Sequence, residues 1–262
     1  MLEATGGYES ALVEALLDRG WAVHRADPRA ASHFIRSLGK RAKTDGLDAR
    51  ALARYGAERH GELRLACPQD AAQAELEVLH ARRADLVAMR TAEKNRLKHP
   101  RYSALREDVR TLILTLQSHI DALEARIEAL IGRSRRLAAR RNVLTAVTGV
   151  GTHTANSLLA CMPQLGTLTR RQAASLAGCA PHPRDSGKTT GYRRTSGGKQ
   201  AVRSALFMAA MAARNFHPEL KIFYQRLLQN GKKPIVALTA LMRKLITILN
   251  AKLRDAECQT TW

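Results

Sequence analysis

Seven apolar residues recur at steps of three and four through the middle of the chain, a spacing that suits a helix and not a strand. A stretch rich in Ala, Glu and Arg precedes them, from about Asp70 to His99, and Pro100 separates the two. The pattern predicts two long helices, either an antiparallel hairpin within one chain or a coiled coil that joins two copies. Ordinary helix packing inside one chain would give the same apolar seam. The seven residues are Val109, Leu112, Leu116, Ile120, Leu123, Ile127 and Leu130.

Shorter periodic segments precede this pair of helices. The segment Glu9–Arg19 places Leu12, Leu16 and Leu17 on one side, which predicts an amphipathic helix that Gly20 ends. The alternation that follows predicts a short strand, and two more helices complete the region. These elements are the strand Trp21–Arg25, a helix at about Arg29–Leu38, and a helix from Thr44 or Asp45 to about Tyr55.

The chain beyond the long helices carries helical patterns only. Predicted helices cover Gln200–Asn215, with Leu206, Phe207, Ala210 and Met211 buried, then Pro218–Leu228 and Pro234–Arg254. We therefore predict a mainly α fold in three parts. They are an α/β fragment at residues 1–66, a helical hairpin at 67–140 and an all-α domain at 141–262.

The net charge of the chain indicates which class of partner it binds. The 43 Lys and Arg residues outnumber the 23 Asp and Glu residues, and the net charge of +20 implies a polyanion, with nucleic acid ahead of a membrane surface. No apolar run reaches the about 18 residues of a spanning helix, and the first ten residues do not resemble a signal peptide. Four scattered cysteines indicate reduced thiols rather than a zinc site. We expect a cytoplasmic, nucleoid-associated protein with no membrane partner.

Two glycines and a basic loop are the candidate nucleic-acid contacts. Gly149 and Gly151 lie between helix-compatible segments, where backbone N–H groups and a helix N-terminus can approach a phosphate. A tight turn without a ligand is the alternative. The loop from Pro181 to Lys199 has Ser186 as a candidate nucleophile, although Ser-Gly is also common turn chemistry and the charges could form only a solvated face. Its basic residues are Arg184, Lys188, Arg193, Arg194 and Lys199, against the single acid Asp185.

Acids near the start of the chain are candidate metal ligands. Asp45 and Asp48 are three residues apart at a predicted helix start, so their carboxylates share one face and could hold a divalent cation. Capping by Asp45, with Asp48 at the helix dipole, is the alternative. Farther along, the segment Gly132–Asn142 has five arginines and no acid, which fits either a phosphate contact or a solvated linker.

The C-terminal motifs resemble those of the DEDD transposases of insertion-sequence family 110. TGVGTHTA, ASLAGCAP, DSGK and GKQAVR follow that family's order of helix-hairpin-helix, Gly-x-x-Pro turn, Ser-Gly loop and Gly-x-x-x-x-Arg helix start. The resemblance implies that Ser186 is the nucleophile on DNA. It also implies a coiled-coil insertion between two domains and a structured guide RNA as partner.

The N-terminal motifs EATGGY and KTDGLDA resemble the RuvC-like domain of the same family, which has an RNase H fold and holds Mg²⁺ with four acids. Glu3, Asp45 and Asp48 match the second, third and fourth of these acids. The first, an aspartate on an upstream strand, has no counterpart here. We therefore expect a truncated RuvC-like domain, in an inactive copy or in one whose start codon is assigned too late.

Together these features predict a DNA transposase that cleaves and rejoins DNA through a serine phosphodiester, with metal at Glu3, Asp45 and Asp48. Dimers or higher oligomers would form through the helical hairpin. Two alternatives stay open: a non-catalytic helix-hairpin-helix protein that binds DNA or RNA, and a relic that only dimerises. The predicted DNA contacts are Gly149, Gly151, Lys188, Arg193, Arg194, Lys199 and Arg203.

Overall fold

The computed structural model describes residues 1–4, 6–39, 44–68, 70–182, 191 and 194–259. The chain separates into two compact units, Met1–Asp70 and Ala71–Trp262. Helices dominate both units, which confirms the predicted mainly α class. The division into three parts stays a prediction, and its second boundary falls inside a helix.

The first unit is a small α/β assembly. Its elements are β1 (Leu2–Glu3), α1 (Ser10–Asp18), β2 (Arg25–Ala26), α2 (Pro28–Ser37) and α3 (Asp45–Arg59). The strands β1 and β2 are parallel, with Leu2 opposite Arg25 and Glu3 opposite Ala26. Helices α2 and α3 pack together, and the rings of Phe34 and Tyr55 stack with centroids 4.7 Å apart.

Two predictions for this unit need correction. The strand predicted at Trp21–Arg25 is observed at Arg25–Ala26, because its partner β1 has two residues and can pair with no more. Trp21 lies outside the strand and is 65% exposed. In α1 the buried side chain is Val13, whereas Leu12 is exposed. Leu16 and Leu17 are half-buried, so α1 packs through Val13, Leu16 and Leu17, and Leu12 is the one predicted residue outside that face.

The second unit begins with the two long helices. They are α4 (Ala71–Lys98) and α5 (Arg106–Arg133), joined by a 3-10 helix at Pro100–Leu105. Arg83 pairs with Glu124 and Arg90 bonds Gln117, so the helices run antiparallel within one chain. The seam that α5 presents is buried at five of its seven positions, Leu123 is half-buried, and Leu112 is 44% exposed.

Eight further elements build a helical body around the last helix. They are α6 (Arg135–Thr145), α7 (Thr152–Cys161), α8 (Arg170–Leu176), β3 (Pro181–His182), β4 (Arg194–Thr195), α9 (Gln200–Phe216), α10 (Pro218–Gln229) and α11 (Pro234–Gln259). Helix α11 packs on α6, α8, α9 and α10. Its residues Leu241, Leu245 and Leu249 are fully buried. In α9, Leu206 and Ala210 are buried as predicted, but Phe207 lies at the surface.

Helix α11 is also the most apolar long helix in the described ranges. By length and composition the segment Pro234–Cys258 could cross a membrane, and it is the one such segment in the described part of the chain. Its leucines belong to the main core cluster, with Leu158 of α7 and Leu206 of α9. Core packing therefore accounts for its apolar character.

Candidate functional site

A short β-hairpin frames the segment that carries the predicted nucleophile. Strands β3 and β4 are antiparallel, with Pro181 opposite Thr195 and His182 opposite Arg194. The segment between them contains Ser186, Lys188 and Arg193, and these three residues lie outside the described residues. The structure thus describes the two strand ends between which Ser186 lies in the chain.

Glycine backbones close the base of this hairpin. Gly178 follows α8 with φ +68°, and Gly198 precedes α9 with φ +68°. A Cβ on Gly178 would lie 2.3 Å from the carbonyl oxygen of Gly197, and one on Gly198 would lie 2.5 Å from the nitrogen of Gly178. Because both neighbours are backbone atoms, no other residue fits at either position. The sequence motif showed these glycines but not that they contact each other.

Arg203 on α9 stabilises the same end of the β-hairpin. Its Nη1 donates to the carbonyl oxygens of Gly197 and Gly198, the latter at 2.9 Å, and its Nη2 donates to Gln200. The guanidinium predicted to contact DNA therefore already fastens the hairpin to the helix. Its role as a DNA contact stays a prediction, and positioning the hairpin is the role that the hydrogen bonds support.

Two other predicted cations differ in their surroundings. Lys199 is the N-cap residue of α9, and its Nζ lies 2.9 Å from a carboxylate oxygen of Glu77 on α4. Arg194 is exposed on β4 opposite His182, and its guanidinium forms no hydrogen bond or ion pair with the described residues. A guanidinium without a partner among the described residues can bind a phosphate.

The turn with Gly149 and Gly151 connects α6 to α7, and its two glycines have different surroundings. Gly149 has φ +98°, and a Cβ there would lie 2.8 Å from the backbone nitrogen of Ala213 on α9. No described atom lies within 4 Å of a Cβ on Gly151, which is the N-cap residue of α7. Since Gly151 has no side chain to cap the helix, the first N–H groups of α7 stay available to an anion.

A polar cavity of about 200 Å³, which the sequence did not suggest, lies beside the start of α7. His80 of α4 meets Ser157 there, with Nε2 and Oγ 2.9 Å apart, and Asn156 donates to Glu128 at 3.0 Å. Burial lowers the pKa of His80, and the positive charges of Arg83, Lys199 and His153 lower it further. His80 is therefore a neutral imidazole that joins α4 to α7.

One of the five arginines near the start of α6 is a structural residue. Arg140 is only 8% exposed, forms an ion pair with Glu257 of α11, and donates to the carbonyl oxygens of Pro163 and Leu165, the latter at 2.5 Å. Burial lowers the pKa of Arg140, and Glu257 opposes that shift. Arg140 is therefore neither a phosphate contact nor part of a solvated linker.

The predicted metal ligands belong to the first unit. Glu3 ends β1, and Asp45 and Asp48 lie in the first turn of α3. Thr44, not Asp45, caps that helix by accepting a hydrogen bond from Leu47 at 3.3 Å, so Asp45 is not needed as the cap. No three His, Cys, Asp or Glu side chains among the described residues are placed to hold a metal ion together, and these acids are among those described.

Comparison with known proteins identifies the family. A family model for the DEDD transposase of IS110, described as a transposase, matches residues 1–100, and the model described as Transposase IS116/IS110/IS902 family matches residues 141–225. The pilin gene-inverting protein of Moraxella lacunata is 30% identical over 265 residues, which cover 97% of this chain and 80% of that protein. A 43.6 kDa protein of insertion element IS110 from Streptomyces coelicolor is 38% identical over 137 residues, 51% of this chain and 33% of that protein. Two models in the expected order and a relative matched along nearly the whole chain show that it belongs to the IS110 family of transposases.

Proposed function

We propose that this transposase breaks and rejoins DNA through a covalent intermediate on Ser186. The observation that carries the proposal is the paired hairpin β3–β4, whose strands lead into and out of the serine segment. Contact between Gly178 and Gly198, with the hydrogen bonds of Arg203, fastens that hairpin to the helical body. A nucleophile needs a rigid support of this kind, because small displacements lower the rate of attack.

The chemistry is a phosphoryl transfer that conserves the ester bond. The Oγ of Ser186 would form a bond to a DNA phosphorus while a P–O bond to the sugar breaks, and the serine proton passes to the departing oxygen. A free sugar hydroxyl of another strand then attacks the phosphoserine, and Oγ regains a proton. No energy source is needed, since each step exchanges one phosphate ester for another.

DNA would be held mainly through its phosphates. The net charge of +20 and the guanidinium of Arg194, which has no partner among the described residues, favour a polyanion beside the serine segment. The open N-terminus of α7 at Gly151 is a second phosphate contact. Lys188, Arg193 and Lys199 complete the proposed surface, with Arg203 in the supporting role described above. The α6–α7 pair with its glycine turn would then act as a helix-hairpin-helix.

Cofactor and partners follow from the family. Membership suggests a divalent metal ion, and Glu3, Asp45 and Asp48 are its proposed ligands within a RuvC-like domain. We propose Mg²⁺, a structured guide RNA and chromosomal DNA of the nucleoid as partners. The relatives in Moraxella are named for inverting pilin genes, and we propose a DNA rearrangement of this general class here.

Assembly through the hairpin is a further part of the proposal. The seam of α5 is largely buried against α4, so its exposed member Leu112 and side chains outside the seam are left for a second copy. Val78, Met89 and Leu114 are exposed on the two helices, as is Leu112. A homodimer would therefore use the outer surface of the hairpin rather than its internal seam.

The covalent intermediate provides the test. The purified protein would be incubated with labelled DNA that carries its element ends and then run on a denaturing gel. The unaltered chain and Ser196→Ala should form a protein–DNA adduct, while Ser186→Ala should form none and should bind DNA as before. An adduct that persists in Ser186→Ala would remove this serine from the mechanism. Tight DNA binding without any adduct would favour the non-catalytic alternative.

A further inference from the structure

A cavity of about 470 Å³ lies between the β-hairpin and the first turns of α11. On the hairpin side its walls are Cys179, Pro181, Arg194 and Thr195. On the helix side they are residues at positions 235, 236, 239, 240 and 243, a spacing that puts them along one face of α11. The cavity therefore borders the same strand, β4, through which the serine segment joins the helical body.

The inner wall of the cavity is apolar. Ile235, Val236 and Ala240 contribute aliphatic surface, and Ile235 is 59% exposed although it is a large apolar residue. Cys179 adds a neutral thiol, because burial raises its pKa to about 11. An exposed apolar face of this kind is suited to a flat, weakly hydrated group.

Positive charge accompanies this apolar wall. Arg194 and Arg243 both line the cavity, and neither guanidinium forms a hydrogen bond or an ion pair within the described part of the chain. No acidic side chain lines the cavity among the described residues. Guanidinium groups without carboxylate partners bind phosphate well and can also lie flat against a base. The cavity thus combines an apolar surface with an anion-binding one.

We infer that this cavity binds one unstacked nucleotide of the nucleic-acid strand, with its base on the α11 face and its phosphate on Arg194 and Arg243. The volume lies within the range of about 300–1,000 Å³ typical of small-molecule pockets. A free phosphate would leave the apolar wall unused, and an aliphatic ligand would leave two arginines unpaired. A nucleotide satisfies both surfaces.

The inference rests on the proposed function, since the strand bound here would be the one that Ser186 attacks. Holding the neighbouring nucleotide out of the base stack would fix the position of the scissile phosphate relative to β4. The lining contains no aromatic residue among those described, so the base would be held by aliphatic contact and by an arginine plane. Arg243, which no sequence motif indicated, becomes a nucleotide-binding residue.

The experiment measures binding of two short DNA duplexes, one with a single bulged nucleotide and one with an abasic residue in its place. The unaltered protein should bind the bulged duplex about 10-fold or more tightly than the abasic one, as expected for one base contact. Arg243→Gln should lower affinity for both duplexes. Thr239→Trp, which fills the cavity, should abolish the preference. Arg171→Gln, which removes the same charge at an exposed position of α8, should preserve the preference.

Equal affinity for the two duplexes would overturn the inference and leave only phosphate contacts. An equal loss in Arg171→Gln and Arg243→Gln would do the same, since it would show general electrostatics. If Thr239→Trp does not fold, the duplex comparison with Arg243→Gln decides by itself. Should another segment of this chain fill the cavity, Thr239→Trp would melt at a lower temperature and show no change in duplex preference. Adducts on Ser186 are scored separately, so the serine mechanism can hold while the cavity inference fails.

Discussion

Gly149 lies directly against the backbone of Ala213. A Cβ placed on Gly149 would be 2.8 Å from the nitrogen and 2.9 Å from the Cα of Ala213. The turn between α6 and α7 is thereby pressed onto α9, and φ at Gly149 is +98°. Gly149 is thus a packing residue, whatever its neighbour Gly151 contributes to phosphate binding.

The variant Gly149→Ala should therefore destabilise the fold. Overpacking against backbone that cannot move aside costs about 1–3 kcal/mol, and the positive φ adds strain. Gly151→Ala is the matched control, because open space surrounds its Cβ position and φ is −83°. Urea unfolding at neutral pH measures both. Equal stability of the two variants would show that the close approach to Ala213 is relieved at little cost.

Arg203→Ala should reduce covalent joining more than it reduces DNA affinity. The substitution leaves the carbonyl oxygens of Gly197 and Gly198 without their donor and frees the base of the serine hairpin. Arg110→Ala is the control, since its exposed ion pair with Glu107 is worth about 1 kcal/mol at most and lies outside the proposed DNA surface. Adduct yield and DNA affinity would be measured in parallel. A loss of affinity equal to the loss of adduct would indicate a DNA contact instead.

Arg140→Met should lower the free energy of unfolding by about 3 kcal/mol, because two buried carbonyl oxygens and Glu257 lose their partner. Arg140→Lys should not restore stability, since an ammonium lacks the planar fork that reaches all three acceptors. Arg110→Met is the exposed control, with a surface pair to Glu107. Chemical denaturation distinguishes them, and an Arg140→Met protein as stable as the control would contradict the structural role.

Stability should fall on mild acidification because of His80. Its pKa is below the ordinary 6.5 in the folded state, so above pH 6.5 the residue is neutral in both folded and unfolded chains and costs nothing. As the pH falls below 6.5, the unfolded chain takes up the proton first, and folding stability decreases until the folded pKa is reached. The loss between pH 7.5 and 5.5 should be smaller in His80→Gln. Identical pH profiles for the two proteins would show that His80 titrates normally.

DNA binding should weaken steeply with salt. A surface that makes six or more phosphate contacts should lose about a thousandfold in affinity between 50 and 200 mM salt. Arg194→Ala should lower the slope by about one unit if its guanidinium contacts a phosphate. Fluorescence anisotropy over a salt series would measure this, and a flat profile would argue against a phosphate-binding surface.

Local patterns in the sequence predicted most helices because their causes act within a turn or two of the chain. Apolar spacing located α5, Pro100 separated the long helices, and Thr44 was one of two candidate caps for α3. The same reasoning failed where contacts with other elements of the fold determine the local structure. The strand at Trp21 proved too long and displaced, because its extent depends on β1. In α1, Leu12 proved exposed and Val13 buried.

The sequence by itself determined the family, because the motifs and their order can be recognised without the tertiary structure. It also determined the net positive charge, which favours nucleic acid as a partner. Only the tertiary structure showed which arginines and glycines have a structural role and which do not. Arg140 is structural because Glu257, 117 residues away, pairs with it, whereas the side chain of Arg194 has no partner in the described part of the chain. Gly149 and Gly178 must be glycine because distant backbone approaches them, whereas Gly151 faces open space. The physical reason is the same in each case: side chains of one type are distinguished by contacts with residues far along the chain, which no local pattern records.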